Sequence, residues 1–227
     1  MNNSLGNTAR LIGAGLRALL VLTVICGVIY PLVVTGIAQV AFSNKANGSE
    51  IKSGGKVVGS ELIGQTYNLP KKDPNNADEA AQPDLKWFQP RPSNGLGSNV
   101  TNGINTQYNL LVSGATNLSG DNDKLIKQVK DAKDAVVKDN STADYKVNPA
   151  DVPADAVTSS GSGLDPQISP EYAKLQVHRV AEQNHLDVKQ VEKLVTDNTS
   201  GRILGFMGEP GVNVLKLNIA LKEITSK

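Results

Sequence analysis

The stretch that decides the fold runs from Ala18 to Phe42 and reads ALLVLTVICGVIYPLVVTGIAQVAF. No charged residue falls between Arg17 and Lys45. At about 1.5 Å of rise per residue, some 20 apolar residues in a helix cross a bilayer core of roughly 30 Å. Hydrocarbon offers the backbone no hydrogen-bond partners, so such a stretch must be helical there. The sequence therefore predicts a transmembrane helix over residues 17–42 that anchors the rest of the chain.

Two other classes of segment share this composition. A cleaved signal peptide has an apolar core of about 7–15 residues followed by a small-x-small cleavage site. This stretch is longer, and its nearest version of that site, Gly36-Ile37-Ala38, lies at its far end. A core helix of a soluble protein is the second alternative, but helices of soluble proteins are typically amphipathic, and nothing amphipathic relieves this stretch. A membrane anchor fits the length and the composition better than either alternative.

Several residues inside the predicted span are polar or interrupt a helix. Proline removes a backbone donor and can kink the helix. Polar groups in lipid usually face protein, although a hydroxyl can also bond its own helix backbone. We therefore expect the span to pack against other membrane helices. The candidate packing residues are Thr23, Tyr30, Pro31, Thr35 and Gln39.

Charge sets the expected topology and excludes one class of partner. Arg10 and Arg17, the two charges ahead of the span, are positive, which by the positive-inside rule keeps residues 1–16 as a short cytoplasmic N-terminus and exports the large domain. The chain has 23 Lys and Arg against 22 Asp and Glu, and this near neutrality argues against nucleic acid as a partner. Its one cysteine lies in the span, so no intrachain disulfide is expected.

The remainder of the chain predicts one small extracytoplasmic α+β domain after the single N-terminal transmembrane helix. Residues 43–56 are interpreted as a juxtamembrane link, and residues 57–227 as the soluble domain. Short apolar pairs broken by glycine in residues 56–67 are typical of strands with turns.

Periodic apolar residues and caps predict helices further along. Residues 123–138 have an amphipathic pattern. Ser169 followed by proline starts a second helix, and Asp187 with Gln190 three residues on starts a third. Residues 212–221 fit either an alternating strand or a C-terminal helix, and we favour the helix.

The sequence contains no pattern that indicates catalysis. Gly54-Gly55-Lys56 lacks the first glycine and the hydroxyl residue of a phosphate-binding loop. His178 and His185 are seven residues apart, whereas two imidazoles that share a metal on one helix are four apart. By itself the sequence supports a non-catalytic, membrane-anchored partner subunit.

Five stretches form a set that spans nearly the whole chain in one order. They are YPL with TGIAQ leading to NGS (30–49), GSELIGQ (59–65), WF with RPS (87–93), VT through SGLDP and ISP to RVA (157–181), and GEP through VNVL and LNIAL (208–221). Together they resemble the C subunit of the Kdp-type potassium-transporting ATPase. Residues 113–120 and the longer loop at residues 71–82 depart from the family pattern.

The resemblance implies a non-catalytic accessory subunit of a high-affinity, four-part potassium import pump in the cell membrane. The implied partners are a channel-like potassium-binding subunit, a P-type ATPase subunit that hydrolyses ATP, and a small single-helix subunit. The family member is held to be essential for assembly and to act as a catalytic chaperone that raises the affinity of the ATPase subunit for ATP. ATP and potassium would then belong to the complex, and no cofactor bound by this chain is expected.

The expected topology restricts that role, because an exported domain cannot touch cytoplasmic nucleotide. An effect on ATP affinity would act through the span, or the domain would instead serve at the potassium entrance. The alternative function is a stand-alone membrane-anchored exported enzyme or ligand-binding module, which needs a preformed pocket with convergent polar groups.

Six polar residues are candidates for docking on a partner. Prolines on both sides of Arg91 hold an extended backbone and present that arginine rigidly. For each candidate a structural role as a cap or turn residue is the alternative; Asp165, for example, precedes a proline and can fix a turn. The candidates are Arg91, Asp165, Gln176, Arg179, Asn213 and Asn218.

Overall fold

The computed structural model describes residues 4–73, 76, 79–93, 96, 100–101, 104–105 and 113–226. It divides into two compact units, residues 1–49 and residues 50–227. The first unit is a long apolar helix and the second is a small α+β domain. The predicted fold class is therefore confirmed.

The apolar helix is longer than the predicted span. It runs from Ser4 to Ala41, and by length and composition this is the one helix among the described residues that could cross a membrane. It comprises α1 (Ser4–Val24) and α2 (Tyr30–Ala41). Residues 4–16, which the sequence left without a regular pattern, are helical because they contain no proline and continue directly into the apolar stretch.

A π-helical turn, Ile25–Ile29, joins α1 to α2 directly ahead of Pro31. Tyr30 N–H donates to the carbonyl of Ile25, five residues back. Pro31 has no N–H, and in a regular helix its ring would collide with the carbonyl four residues earlier, that of Gly27. The wider turn accommodates the proline within a continuous helix, which the sequence did not predict.

The segment after the anchor has more structure than a simple link. The one-turn helix α3 (Ser43–Ala46) follows α2. The Gln39 and Asn47 side-chain amides exchange two hydrogen bonds of 3.1 Å. Residues 50–56, assigned to the link by the sequence, form a strand and a turn of the second unit.

The domain contains short antiparallel strands in three groups. β1 pairs with β2 around Gly54 and Gly55, both of which adopt the positive φ that a tight hairpin turn requires. β3 pairs with β4, and a three-stranded sheet has the order β5-β7-β6. The strands are β1 (Glu50–Ser53), β2 (Lys56–Ser60), β3 (Val100–Thr101), β4 (Ile104–Asn105), β5 (Gln167–Ile168), β6 (Thr199–Ser200) and β7 (Gly211–Asn213).

Five α-helices accompany these strands in the described part of the domain, and four of them start at side-chain caps, including the last, where Asn213 accepts from Lys216 N–H. Asn122 accepts hydrogen bonds from the first turn of α4, Ser169 from Tyr172 N–H at the start of α5, and Asp187 forms a capping box with Gln190 at the start of α7. The helices are α4 (Asp123–Asn140), α5 (Pro170–Leu175), α6 (Val177–Asn184), α7 (Val188–Asp197) and α8 (Val214–Thr225). The favoured helix over residues 212–221 is confirmed, except that its first two residues belong to β7.

The core of the domain lies between the three-stranded sheet, the helices and one extended segment. Val212 from β7 and Val180, Val191 and Leu217 from three helices are fully buried. Phe88, which belongs to no helix or strand, is equally buried in the same cluster. The extended segment around Phe88 is therefore an integral part of the core.

Candidate functional site

Asn218 holds the extended segment against α8. Its amide oxygen accepts a hydrogen bond from Phe88 N–H at 2.9 Å, and its amide nitrogen donates to Phe88 O at 3.0 Å. A buried backbone N–H or C=O without a partner is unfavourable, and among the described residues no strand pairs with Phe88 to supply one. The asparagine side chain therefore supplies both hydrogen-bond partners that a neighbouring strand would give to the backbone of Phe88.

Gln176 makes the same two-bond contact with the next residue of the segment. Its Oε1 accepts from Gln89 N–H at 2.7 Å, and its Nε2 donates to Gln89 O at 3.1 Å. Gln176 lies at the break between α5 and α6 and is fully buried. The break turns its side chain to the interior, where it pairs with the segment.

Arg179, on α6, completes the set with four neutral acceptors. Its guanidinium donates to Asn140 Oδ1 at 2.9 Å, to Gln176 Oε1 at 2.6 Å, to Trp87 O at 2.9 Å and to Leu85 O. None of the ion pairs among the described residues includes it. We call Asn218, Gln176 and Arg179 the interior clamp.

Burial lowers the pKa of Arg179 to about 10, with the nearby Tyr172, Asp139 and Asp84 opposing the shift. The group is still a cation at neutral pH, and its charge is shared among hydrogen-bonded carbonyl oxygens. Burial likewise raises the pKa of the Tyr172 hydroxyl, while the neighbouring Arg179 charge partly opposes that rise. The interior clamp thus carries a buried positive charge whose partners are all supplied by the chain.

The structure gives these three candidate docking residues partners inside the domain. All three are buried and bond the segment that contains residues 85–89. Asn213 is also buried; it caps α8 through Lys216 N–H at 3.1 Å and donates to Glu61 O at 2.9 Å. The observed contacts of these four residues are structural ones within the domain. Contact of any of them with a partner subunit stays a prediction.

Arg91 and Asp165, in contrast, lie at the surface and face each other. Arg91 Nη1 is 3.0 Å from Asp165 Oδ2, and the two side chains are 23% and 29% exposed. The guanidinium also approaches the carbonyl oxygens of Thr158 and Ser159 at 3.4–3.5 Å. Asp165 Oδ1 accepts from Gln167 N–H at 2.9 Å, so this carboxylate both fixes its turn and binds the arginine. We call the Arg91–Asp165 pair the surface latch.

Three distant segments of the chain meet at the surface latch. Gly64 N–H donates to Leu164 O at 2.8 Å, and a Cβ at Gly64 would lie only 2.6 Å from Asp165 O. Ser93 Oγ donates to Gly163 O. A groove of about 380 Å³ runs beside the latch, between α4 and the turn at residues 157–159; it is lined by Pro92, Ser93, Leu125, Val129, Thr158 and Ser159 among others.

A second concavity lies between α5, α7 and the segment around Tyr145, with a volume of about 530 Å³. The Tyr145 and His178 rings stack there, with centroids 3.9 Å apart and planes 4° from parallel. Glu171 and Lys174 bring charges of both signs to its lining. Among the described residues, no three His, Cys, Asp or Glu side chains are grouped so that they could hold a metal ion.

The five candidate packing residues of the span all lie exposed on the anchor helix. Across residues 4–41 no side chain is buried within the chain itself. Gln39 bonds Asn47, and Pro31 sits directly after the π-helical turn. The helix surface is thus available to lipid and to other proteins, and packing through these residues stays a prediction.

Sequence reasoning missed one exposed feature. Residues 203–207 read ILGFM, and the structure places them at the tip of a hairpin-like turn between β6 and β7. Leu204 is 80% exposed and Phe206 is 70% exposed. Arg202 and Glu209 form an ion pair of 2.9 Å at the base of the turn. We call residues 202–209 the apolar finger. The signal available in the sequence was four large apolar residues around a glycine, in a spacing that fits neither one face of a helix nor the alternation of a half-buried strand.

Comparison with known proteins connects these features to a family. A family model described as "K+-transporting ATPase, c chain" (KdpC) matches residues 12–223. The chain belongs to the KdpC family. A potassium-transporting ATPase KdpC subunit of Streptomyces avermitilis is 72% identical over 226 residues, which cover 100% of this chain and 99% of that protein.

Two further relatives have the same description. The protein from Streptomyces coelicolor is 63% identical and covers 100% of this chain and 98% of its own length. The protein from Mycobacterium tuberculosis strain H37Rv is 42% identical over 211 residues, or 92% of this chain and 96% of its own length. The resemblance found in the sequence is therefore confirmed, and the chain is a membrane subunit of the Kdp potassium-transport ATPase with one candidate transmembrane helix.

Proposed function

We propose that this chain is a non-catalytic accessory subunit of a high-affinity, ATP-driven potassium import pump and is required for its assembly. Its partners would be a channel-like potassium-binding subunit, a P-type ATPase subunit that hydrolyses ATP, and a small single-helix subunit. The observation that carries the proposal is that the family match covers residues 12–223, so it includes most of the anchor as well as the domain. ATP and potassium are bound by the partner subunits.

The proposed topology has residues 1–16 in the cytoplasm, a single span at 17–42, a short link after it, and an extracytoplasmic domain that begins with β1 at Glu50 rather than at residue 57. Arg10 and Arg17, ahead of the span, support this orientation by the positive-inside rule. A reporter fused after Lys227 tests it. Activity of a reporter that works only in the cytoplasm would contradict the proposed orientation.

The surface latch and its neighbouring groove are the proposed docking face for the channel-like subunit. Two observations support this choice: Arg91 and Asp165 are partly exposed, and the groove beside them presents the partly covered Leu125 and Val129 of α4. The interior clamp contributes indirectly, because it fixes the extended segment that leads into Arg91. The anchor would pack on partner helices through Thr23, Tyr30, Pro31, Thr35 and Gln39.

Any effect of this subunit on ATP affinity would then be transmitted through the span rather than by contact with nucleotide. The π-helical turn ahead of Pro31 supports this proposal. Such turns replace the regular hydrogen bonds to the residue four positions back by bonds to the residue five positions back, and they often lie at functional positions in helices. In the assembled pump, Pro31→Ala is expected to raise the KM for ATP with little change in potassium affinity. An unchanged KM for ATP would argue against transmission at this turn.

Co-purification tests the docking face. The full chain, expressed with its proposed partners and purified in mild detergent, should bring down a multi-span subunit and a P-type ATPase. Arg91→Gln should weaken recovery of the multi-span subunit while leaving the unfolding transition of the chain nearly unchanged. Lys189→Gln, an exposed cation on α7, is the matched control. Recovery of the chain alone, together with normal growth of a deletion strain at very low potassium, would contradict the proposed function.

A further inference from the structure

The apolar finger exposes large apolar side chains next to one another. Ile203 and Met207 flank the highly exposed Leu204 and Phe206, and both are themselves exposed. Contiguous exposed apolar groups of this kind are unfavourable in water and mark a surface that something else covers. No role in the function proposed above uses this finger.

The backbone of the finger forms several hydrogen bonds within the turn itself. Ile203 and Met207 exchange two backbone hydrogen bonds of 2.9 Å. Gly205 N–H donates to Arg202 O at 3.1 Å, and Phe206 N–H donates to Ile203 O at 3.3 Å. Positive φ angles at Leu204 and Gly205 make this tight turn possible. Most N–H groups of the turn are therefore already bonded within it, which lowers the free-energy cost of moving it from water into surroundings that offer few hydrogen-bond partners.

The dimensions and the charges of the finger also fit a bilayer interface. Its two arms extend about two to three residues beyond the base, or roughly 7–10 Å, which matches the 5–10 Å depth to which interfacial segments enter a membrane. The Arg202–Glu209 ion pair at the base is polar but neutral, as suits a group held at the level of zwitterionic headgroups. This arrangement favours apolar insertion over electrostatic attraction to anionic lipid.

Chain connectivity limits how far the finger can lie from the membrane that holds the anchor. Residues 42–49, between the end of α2 and the start of β1, span at most about 28 Å when fully extended. Glu50, where the domain begins, pairs with Ser60, and the next residue, Glu61, accepts a hydrogen bond from Asn213. Asn213 ends β7, which begins two residues after the finger, so the finger base lies within about 30 Å of Glu50 along these contacts. The bilayer that holds the anchor is within reach of the finger.

We propose that the apolar finger inserts its tip into the boundary between headgroups and acyl chains of the bilayer that holds the anchor. The anchor tethers the finger to the bilayer and so gives the finger a high effective concentration at the lipid surface. Even a weak contact between the finger and lipid is therefore populated. Insertion would fix the orientation of the domain relative to the membrane surface. The proposal rests on the anchor and on the finger, and it holds for either orientation of the chain.

A depth measurement on the full chain tests this insertion. Cys26 is the one cysteine of the chain, so Cys26→Ser with Phe206→Cys leaves a single site for an apolar nitroxide label at the tip. The labelled chain is reconstituted alone into phosphatidylcholine vesicles, and unchanged Trp87 emission verifies the fold. We expect the label at 206 to be more accessible to oxygen than to an aqueous nickel chelate. A label introduced by Lys189→Cys in the same background should show the reverse.

Further variants separate apolar insertion from other causes. In the labelled background, Leu204→Ser with Met207→Ser should lower the ratio of immersed to water-exposed label at least about tenfold. Leu69→Ser, at an exposed leucine outside the finger, should leave the ratio unchanged. Anionic phosphatidylglycerol should make little difference, because the base of the finger is neutral. Immersion that occurs only with anionic lipid would overturn the proposal.

Two other outcomes would also overturn it. If the label on the chain alone is accessible to the chelate, and becomes shielded from both reagents only in the complete pump, the finger docks on another subunit. If the label is accessible to the chelate in both preparations, the finger stays in water.

Discussion

The interior clamp and the apolar finger distribute polar and apolar groups in opposite ways. The clamp places two amides and a guanidinium among core valines and leucines, whereas the finger places Leu204 and Phe206 in the open. The clamp is tolerated because the chain itself supplies its hydrogen-bond partners. The finger has no apolar cover of that kind from the part of the domain that the structure describes. The buried polar groups therefore stabilise the domain, while the exposed apolar groups point to a surface outside it.

The largest effect on stability is expected at the centre of the interior clamp. Arg179→Met would leave the carbonyls of Leu85 and Trp87 and the side-chain oxygens of Asn140 and Gln176 without this donor. A buried acceptor left without a donor is unfavourable by about 1–3 kcal/mol, so with several acceptors affected we expect the free energy of unfolding to fall by about 3–5 kcal/mol. Urea unfolding of the full chain in mild detergent, followed by the emission of the single tryptophan and by circular dichroism, measures the loss.

Arg179→Lys is the informative companion, because an ammonium keeps the charge but cannot reproduce the fork of donors. The free energy of unfolding of Arg179→Lys should lie between those of the wild type and Arg179→Met. Equal stability of all three proteins would show that the guanidinium does not hold the extended segment, and the contrast with the finger would then fail.

A slightly smaller loss is expected when the amide at the other end of the interior clamp is removed. Asn218→Ala leaves both the N–H and the C=O of Phe88 buried without their partners. Each such group is unfavourable by about 1–3 kcal/mol, so we expect a total loss of at least about 2 kcal/mol. Glu223→Ala, at an exposed position of the same helix, is the control and should change stability by less than about 0.5 kcal/mol.

The parts of this molecule that sequence alone predicts are those set by neighbouring residues. The helix starts at Ser169 and Asp187 follow from caps within three residues, and the anchor follows from one apolar run. The interior clamp joins residues far apart in sequence, 130 between Phe88 and Asn218 and 87 between Gln89 and Gln176. Nothing local marks an asparagine that will pair with a distant backbone.

The candidate site was predictable to a similar extent. Flanking prolines marked Arg91 as a fixed side chain, and the turn before Pro166 marked Asp165, but only the fold shows that the two form an ion pair. The apolar finger was overlooked because exposure is a property of the folded domain. A short apolar run such as residues 203–207 reads equally well as a buried strand.

Close packing between the surface latch and its neighbour gives the third prediction. Gly64→Ala would place a Cβ 2.6 Å from Asp165 O, a backbone atom that cannot rotate away. Overpacking of this kind lowers stability by about 1–3 kcal/mol. Gly161→Ala is the matched glycine in the adjoining turn, where a Cβ would meet no atom within 4 Å. If the two alanine variants lost the same stability, contact with the latch turn would not explain the effect at Gly64.

The fourth prediction concerns the surface latch itself. A double-mutant cycle with Arg91→Gln and Asp165→Asn should give a coupling of about 0.5–1 kcal/mol, since the pair is partly exposed and screened by solvent. The coupling should shrink as salt is raised. The exposed Lys193–Asp197 pair on α7 is the reference and should couple by about 0.3–0.5 kcal/mol. A latch coupling above 2 kcal/mol would place this pair with the interior clamp as a main stabiliser of the domain.

The smallest effect on stability is expected at the apolar finger. Phe206→Ser and Leu204→Ser remove side chains that are mostly exposed, so the free energy of unfolding in detergent should change by no more than about 0.5 kcal/mol. Leu217→Ala, at a fully buried leucine, should in contrast lose about 2–5 kcal/mol by leaving a cavity. A loss near 2 kcal/mol from Phe206→Ser would mean that the tip packs within the domain. If the free energy of unfolding is unchanged, Leu204 and Phe206 do not stabilise the domain, and any favourable contact that they make lies outside it.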